Sequence, residues 1–396
     1  MATTCPIYLN EGAVLETASD LSVPGPAFGW TLNRSYMSNG TGASSLGNLW
    51  LTSDGDMYLI QSGSDISLLV SADSQLIFTA SGSPPTYTTP DDSNLKLTHN
   101  SGASEYILTD RADNLRYTFH DFTVTPTATQ GKLKEKSSLQ WKSQSRVGLE
   151  YSYDTNGTLI QITTADGQDY NIVFTYSGSA ITKIEVKDGT TVLQQIEYTY
   201  YDDVTNPSVD IGSSGDLVQV KVSRDASNDT PGTLSIIRYT QYRYGSGSKL
   251  KAIYDHDAIE RISVGDAGIS SAVDVLTKDD DYGTPDLETF AGRRFTYYTA
   301  DATTSSIVTP FEGMGEDLNT LYGGTEASES GFAKSETIGA GCSSCSSSNA
   351  GLTKTYFYLD INQGATLDQN EVTRLVIEDT EDANGTAVYR TIFGIN

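Results

Sequence analysis

The stretch Tyr153-Asp154-Thr155-Asn156-Gly157-Thr158-Leu159-Ile160-Gln161-Ile162 decides the fold. Asp-Thr-Asn-Gly is a turn sequence, because Asp and Asn bond their own backbone and Gly accepts positive φ. A β-type run lies on each side of it, so the stretch reads as one hairpin. Asp166-Gly167 then turns the chain again toward Tyr170 and Tyr176. Ser177-Gly178 leads into Ile181-Thr182-Lys183-Ile184, and Asp188-Gly189 into a tyrosine-rich run through Tyr198 and Tyr200. Gly215-Asp216-Leu217-Val218-Gln219-Val220 and Tyr244-Gly245-Ser246-Gly247-Ser248-Lys249-Leu250-Lys251-Ala252-Ile253 are further copies. The unit is Tyr, a glycine turn, Leu-x-x-Ile, a second turn, and Tyr again. A lone hairpin is unstable in water, so the copies must stack. Leu159, Ile162, Ile181, Ile184, Leu217, Val220, Leu250 and Ile253 are expected on one core face. Residues three apart fall on opposite faces of a regular strand, so a bulge must separate the two slots.

Upstream, Phe28-Gly29-Trp30-Thr31-Leu32-Asn33-Arg34-Ser35-Tyr36 alternates as a half-buried strand does. Short runs at 57–60, 67–70, 75–78 and 105–108 read as a meander. Residues 81–94 and 123–136 read as exposed connections. No stretch shows helical periodicity over ten residues. The expected fold is therefore all-β: a meander or sandwich-like region over 1–146, stacked hairpins over 147–265 in a wound, shell-like sheet, an irregular polar region with a Gly/Ser-rich linker over 266–350, and the start of further, truncated repeats over 351–396.

The Tyr-Asp-x-x-Gly-x-Leu-x-x-Ile units resemble the YD repeats of the RHS/YD-repeat superfamily. The segment Gly12 to Gly25, with Trp30-Thr31-Leu32-Asn33-Arg34-Ser35-Tyr36 and Leu46-Gly47, resembles the leader before those repeats in bacterial RHS proteins. The resemblance spans about 1–60 and 147–260. It implies an exported or surface protein whose sheets wrap into a hollow shell, often around a C-terminal toxin. This sequence is short for a closed shell and lacks the family's DPxGxxD-type self-cleavage motif. Only the scaffold role therefore carries over to these residues; toxin delivery or contact-dependent competition is the setting that the resemblance implies for such a scaffold.

Composition narrows the partners. With 51 acidic and 25 basic residues the formal charge is −26. Such a field repels phosphate backbones and anionic lipid heads, so nucleic acid and membrane insertion are not expected. The expected partners are the rest of a longer chain, other surface proteins, or glycans. No signal peptide is visible at the N-terminus, and an extracellular or cell-surface location is expected from the resemblance.

No catalytic, cofactor-binding or metal-binding residue is assigned. His99, His120 and His256 are scattered and lie in no nucleophile-elbow or HExxH context. Cys342 and Cys345 have knuckle spacing, but the remaining cysteine is Cys5; a local disulfide or free thiols is the first expectation, half of a site completed by another chain or further residues the second, and a zinc site within this chain the last. Asp360, Asn362, Asp368 and Glu371 stand at calcium-loop spacing, but Gly364 falls one position early and the flanks read as strands. Asp279-Asp280-Asp281-Tyr282-Gly283 is a second acidic turn. The chain is expected not to be an enzyme. The competing reading is a carbohydrate-binding β module or a glycosidase, which requires exposed aromatic platforms in a groove.

Overall fold

The computed structural model describes residues 7–8, 12–23, 29–40, 42–52, 57–71, 74–88, 94–139, 148–164, 170–201, 211–225, 232–265, 291–298, 324–326, 332–338, 352–361, 374–381 and 387–395. They form an all-β fold, as the sequence predicts. Ile7–Tyr8, Ala13–Val23, Trp30–Met37 and Trp50–Thr52 make a four-stranded leader sheet. Tyr58–Ser62, Asp65–Ser71, Ser74–Ser81 and Thr86–Thr88 make a second. The remaining strands, from Leu95–Asn100 to Ala387–Ile395, join one 18-stranded sheet. It is open: its first and last described strands each have one neighbour. Described strands on both sides of 140–147, 266–290 and 339–351 belong to this one sheet.

The four predicted hairpins show the expected bulge at the same place. Ser152 pairs Gln161 and Tyr153 pairs Leu159, leaving Ile160 as the extra residue. Thr182, Val218 and Lys251 are the extra residues opposite Tyr176, Tyr200 and Tyr244. The same step recurs at Lys134 opposite Phe119 and at Lys334 opposite Tyr297. A bulge inserts one residue and re-aims the chain. That is why Leu159 and Ile162, three apart, both face inward. All eight predicted residues, Leu159 through Ile253, are buried in one core.

The repeated tyrosine closes these bulges. Tyr153 Oη donates to Leu133 O at 2.6 Å, Tyr176 Oη to Leu159 O at 2.7 Å and Tyr200 Oη to Ile181 O at 2.6 Å. The series continues from Tyr244 to Leu217 O at 2.8 Å, Tyr297 to Leu250 O at 2.8 Å and Tyr358 to Ala333 O at 3.0 Å. Each hydroxyl thus satisfies a bulge carbonyl in the preceding hairpin and ties neighbouring copies together. Tyr176→Phe keeps the ring and removes one such bond. A loss of about 1 kcal/mol is expected in urea unfolding, with the second hydroxyl deletion, Tyr200→Phe, adding a similar amount.

The turn chemistry is equally local. Asp154 Oδ1 accepts from the amides of Asn156 and Thr158 at 2.9 and 2.8 Å. These bonds, the Thr158 amide first, hold its carboxyl below the usual range. Gly157 sits at φ 78°, and a Cβ there would lie 2.1 Å from Ala128 O. Both the backbone angle and the space demand glycine.

Three sequence expectations are corrected. His256–Gly265 is an α-helix within the stretch read as hairpins. Asp255 caps it, its carboxylate accepting from the Ala258 amide at 2.8 Å. Ala258 and Ile259 pack with Ala252, Tyr254 and Ala291 in a small second core. Leu133–Ser138 is a strand rather than an exposed connection, with Lys134 bonded to Glu105 at 2.7 Å. Thr86–Thr88 is a strand within the expected loop at 81–94. Cys5, Cys342, Cys345, the acidic turn 279–283 and residues 362–371 lie outside the described residues.

Candidate functional site: the leader–repeat seam

The leader strands place a charged pair in the core. Trp30, Leu32, Arg34 and Tyr36 share the inward face of Trp30–Met37, and all four are buried. On the partner strand, Ser19 pairs Asn33 and Leu21 pairs Leu32, so Asp20 is a bulge residue. The bulge brings Asp20 beside Arg34. Arg34 Nε donates to Asp20 Oδ2 at 2.6 Å, with both side chains almost fully buried.

The repeat sheet completes the pair. Arg34 Nη2 donates to Tyr242 Oη at 2.5 Å, and its guanidinium lies 4.5 Å from the Trp50 ring centre and 5.1 Å from that of Tyr242. Tyr198 Oη donates to Asp20 Oδ2 at 3.1 Å. Arg238 Nη2 reaches Ser19 O at 3.0 Å and Asp20 Oδ1 at 3.3 Å. Burial alone would lower the Arg34 pKa, but the adjoining Asp20 carboxylate outweighs it and holds the guanidinium charged. Burial, reinforced by Asp20, pushes the Tyr198 phenol well above its usual value, so it stays a neutral donor. Buried charges persist only when paired and bonded in this way.

Further contacts seat the leader along the sheet. Tyr36 Oη donates to Ser248 O at 2.8 Å and accepts from the Leu250 amide at 2.7 Å. Trp50 Nε1 donates to Tyr244 Oη at 2.9 Å. The Asn48 amide donates to Gly215 O at 3.0 Å, and its side chain to Asp216 Oδ1 at 2.9 Å. Burial pushes the Asp216 carboxyl up, opposed by its hydrogen bonds. Gly47, at φ 88°, approaches so closely that a Cβ would lie 2.2 Å from Gly215 O. At the far end Ala333 N donates to Gly12 O at 2.7 Å, and Arg293 bridges Glu16 and Glu336. The Leu-Gly step of the leader motif is thus a docking contact.

The histidines do not converge. His99 Nε2 lies 3.1 Å from Asp121 Oδ2 and stacks on Tyr106 at 4.5 Å. The hydroxyl that reaches this pair, Thr123 Oγ1, bonds the carboxylate at 2.6 Å. Burial acts upward on Asp121, but the bonds from Thr123 and His99 outweigh it and hold its carboxyl low. His120 ends another strand, where burial and Lys134 push its pKa down. His256 heads the helix, 3.3 Å from Glu260. No helix among the described residues is long and apolar enough to cross a membrane.

The sequence reading missed the Asp20–Arg34 pair. Its signal was a charged residue at an inward position of an alternating strand, between Leu32 and Tyr36.

Comparison with known proteins bears on this same segment. A family described as "Domain of unknown function (DUF6531)" matches residues 4–78, which contain Asp20, Arg34, Gly47 and Trp50. No curated protein matches the chain in sequence. Among solved structures, the N-terminal domain of effector protein SpvB from Salmonella typhimurium strain LT2 is 13% identical, with TM-score 0.30 over 60% of this chain and 98% of that one. TcdB2-TccC3 without its hypervariable C-terminal region is 12% identical, with TM-score 0.27 over 94% of this chain and 20% of that one. The Photorhabdus luminescens Tc holotoxin pore is 11% identical, with TM-score 0.26 over 94% and 19%. The chain spans about a fifth of the length of the two Tc structures.

Proposed function

We propose that this chain is a structural scaffold: a length of RHS/YD-type repeat wall with its leader bound across one face. Its setting is an exported or surface bacterial protein serving toxin delivery or contact-dependent competition, the role that the leader and YD motifs imply. The observation that carries the scaffold reading is what happens to the tyrosines. Tyr153, Tyr176, Tyr200, Tyr244, Tyr297 and Tyr358 spend their hydroxyls on carbonyls of neighbouring hairpins. Tyr198 and Tyr242 are buried against the leader pair, and Tyr36 is buried between the leader and the repeat sheet. A sugar site needs aromatic faces open to solvent. Tyr389, 63% exposed, is the aromatic residue among the exposed large hydrophobics described. The charge of −26 favours a soluble wall over nucleic-acid or anionic-membrane binding.

A glycan array combined with a hydrolysis screen of the purified chain tests this reading. No saturable glycan binding and no turnover are expected. Binding abolished by Tyr389→Ala, or turnover abolished by changing one carboxylate, would replace the scaffold with the carbohydrate reading.

A further inference from the structure

The repeats pose a problem for the leader that docks on them. Successive hairpins present the same tyrosine and Leu/Ile slots, so an apolar leader face would find similar burial one hairpin up or down. Two residues before each ladder tyrosine lies a second buried aromatic: Tyr151, Phe174, Tyr198, Tyr242, Phe295 and Tyr356 in chain order. Tyr198 and Tyr242 are the one consecutive pair in this series that carries two hydroxyls. Phe174 and Phe295 flank them. Those two hydroxyls bond the leader's ion pair, Tyr198 to Asp20 at 3.1 Å and Tyr242 to Arg34 at 2.5 Å. Their strands, Thr191–Tyr200 and Leu234–Gly245, are separated by the single strand Leu217–Asp225.

We propose that the Tyr198–Tyr242 hydroxyl pair is an address that selects where along the repeat sheet the leader's Asp20–Arg34 pair docks. A shift of one hairpin toward the N-terminus sets Asp20 against Phe174. A shift the other way sets Arg34 against Phe295. Either shift leaves a buried charged group without its hydroxyl, a penalty that apolar packing does not recover. The ion pair and the tyrosine pair together discriminate among sites that shape alone treats as alike. The seam has further contacts, among them Gly47 against Gly215, Asn48 on Asp216, Tyr36 on Leu250 and Glu16 on Arg293, and the tyrosine variants leave all of them in place.

The test measures the leader's position in the full chain. Nitroxides are attached through Asn33→Cys and Thr199→Cys, with Cys5, Cys342 and Cys345 changed to Ser. Electron–electron distance measurements then read the register. The parent is expected to give one narrow distance. Tyr198→Phe/Tyr242→Phe keeps both rings and is expected to broaden it or add a second population. Phe174→Tyr/Tyr242→Phe moves the hydroxyl pair one hairpin upstream. It is expected to displace the leader by two strand spacings, about 9–10 Å. An unchanged single distance in both variants would overturn the proposal and leave register to the other seam contacts. Loss of the β circular-dichroism signal in Tyr198→Phe/Tyr242→Phe would overturn it too, because the hydroxyls would then hold the sheet itself.

Discussion

Arg34→Ala is expected to destabilise the protein by about 3–5 kcal/mol, because it strands the Asp20 carboxylate in the core. Asp20 has a fully buried side chain, and Arg34 is its charged partner at 2.6 Å. Arg238, also on Asp20, is about two-fifths exposed and reaches it at 3.3 Å, too solvated to replace a buried guanidinium. Tyr198 supplies a neutral donor only. The variant also strips the cation from above Trp50 and Tyr242, an interaction that adds to the loss when desolvated. Urea unfolding followed by tryptophan fluorescence measures the effect, since Trp30 and Trp50 both belong to the leader sheet. The double change Asp20→Leu/Arg34→Met removes both charges and is expected to recover most of the stability. If Arg34→Ala costs under about 1 kcal/mol, the range of an exposed ion pair, the buried pair is not the anchor described. Stability and register are separate here: the apolar double variant is expected to stay folded while losing the charge pattern that the tyrosine address reads.

Trp50→Ala is the second large effect, about 3–5 kcal/mol, the range for emptying a core aromatic site. Its ring has no exposure and meets Tyr36 at 5.3 Å and Tyr242 at 5.2 Å between centroids. Its indole N–H donates to Tyr244 Oη, which itself donates to Leu217 O in the tyrosine series. The residue therefore couples the leader to the repeat ladder as well as filling space. Removing it leaves a cavity under Arg34 and between two tyrosines that are held by their own bonds, so collapse is restricted. The release is measurable by trypsin: Arg34 is buried in the intact protein, and cleavage there requires the leader to lift. Cleavage after Arg34 is expected to accelerate in Trp50→Ala while the repeat strands stay resistant. Equal resistance in the variant and the parent would show that Trp50 is not a docking residue.

The tyrosine ladder and the leader seam divide what was legible from what was not. The positions of Tyr153, Leu159 and Ile162, and the need for a bulge between the last two, follow from spacing within one hairpin. Strand period, turn residues and burial of apolar slots act over a few residues, and each copy repeats the evidence. Asp154 and Gly157 mark their turn for the same reason: an Asx bond and a positive φ are local demands. The cap at Asp255 was equally local, but a single ten-residue helix carries little periodic signal among β-type runs.

Tertiary structure decided everything that depends on which copy meets which partner. Arg34 and Tyr242 are 208 positions apart, and Tyr198 is 178 from Asp20. Six tyrosine-bearing strands look alike in sequence, so no local rule tells the leader where to sit. The sequence by itself determined the hairpin, its bulge and its inward face. Only the folded chain could show the hydroxyls of Tyr198 and Tyr242 meeting a buried ion pair, because a charge in the core is stable only where its partners have already been brought together.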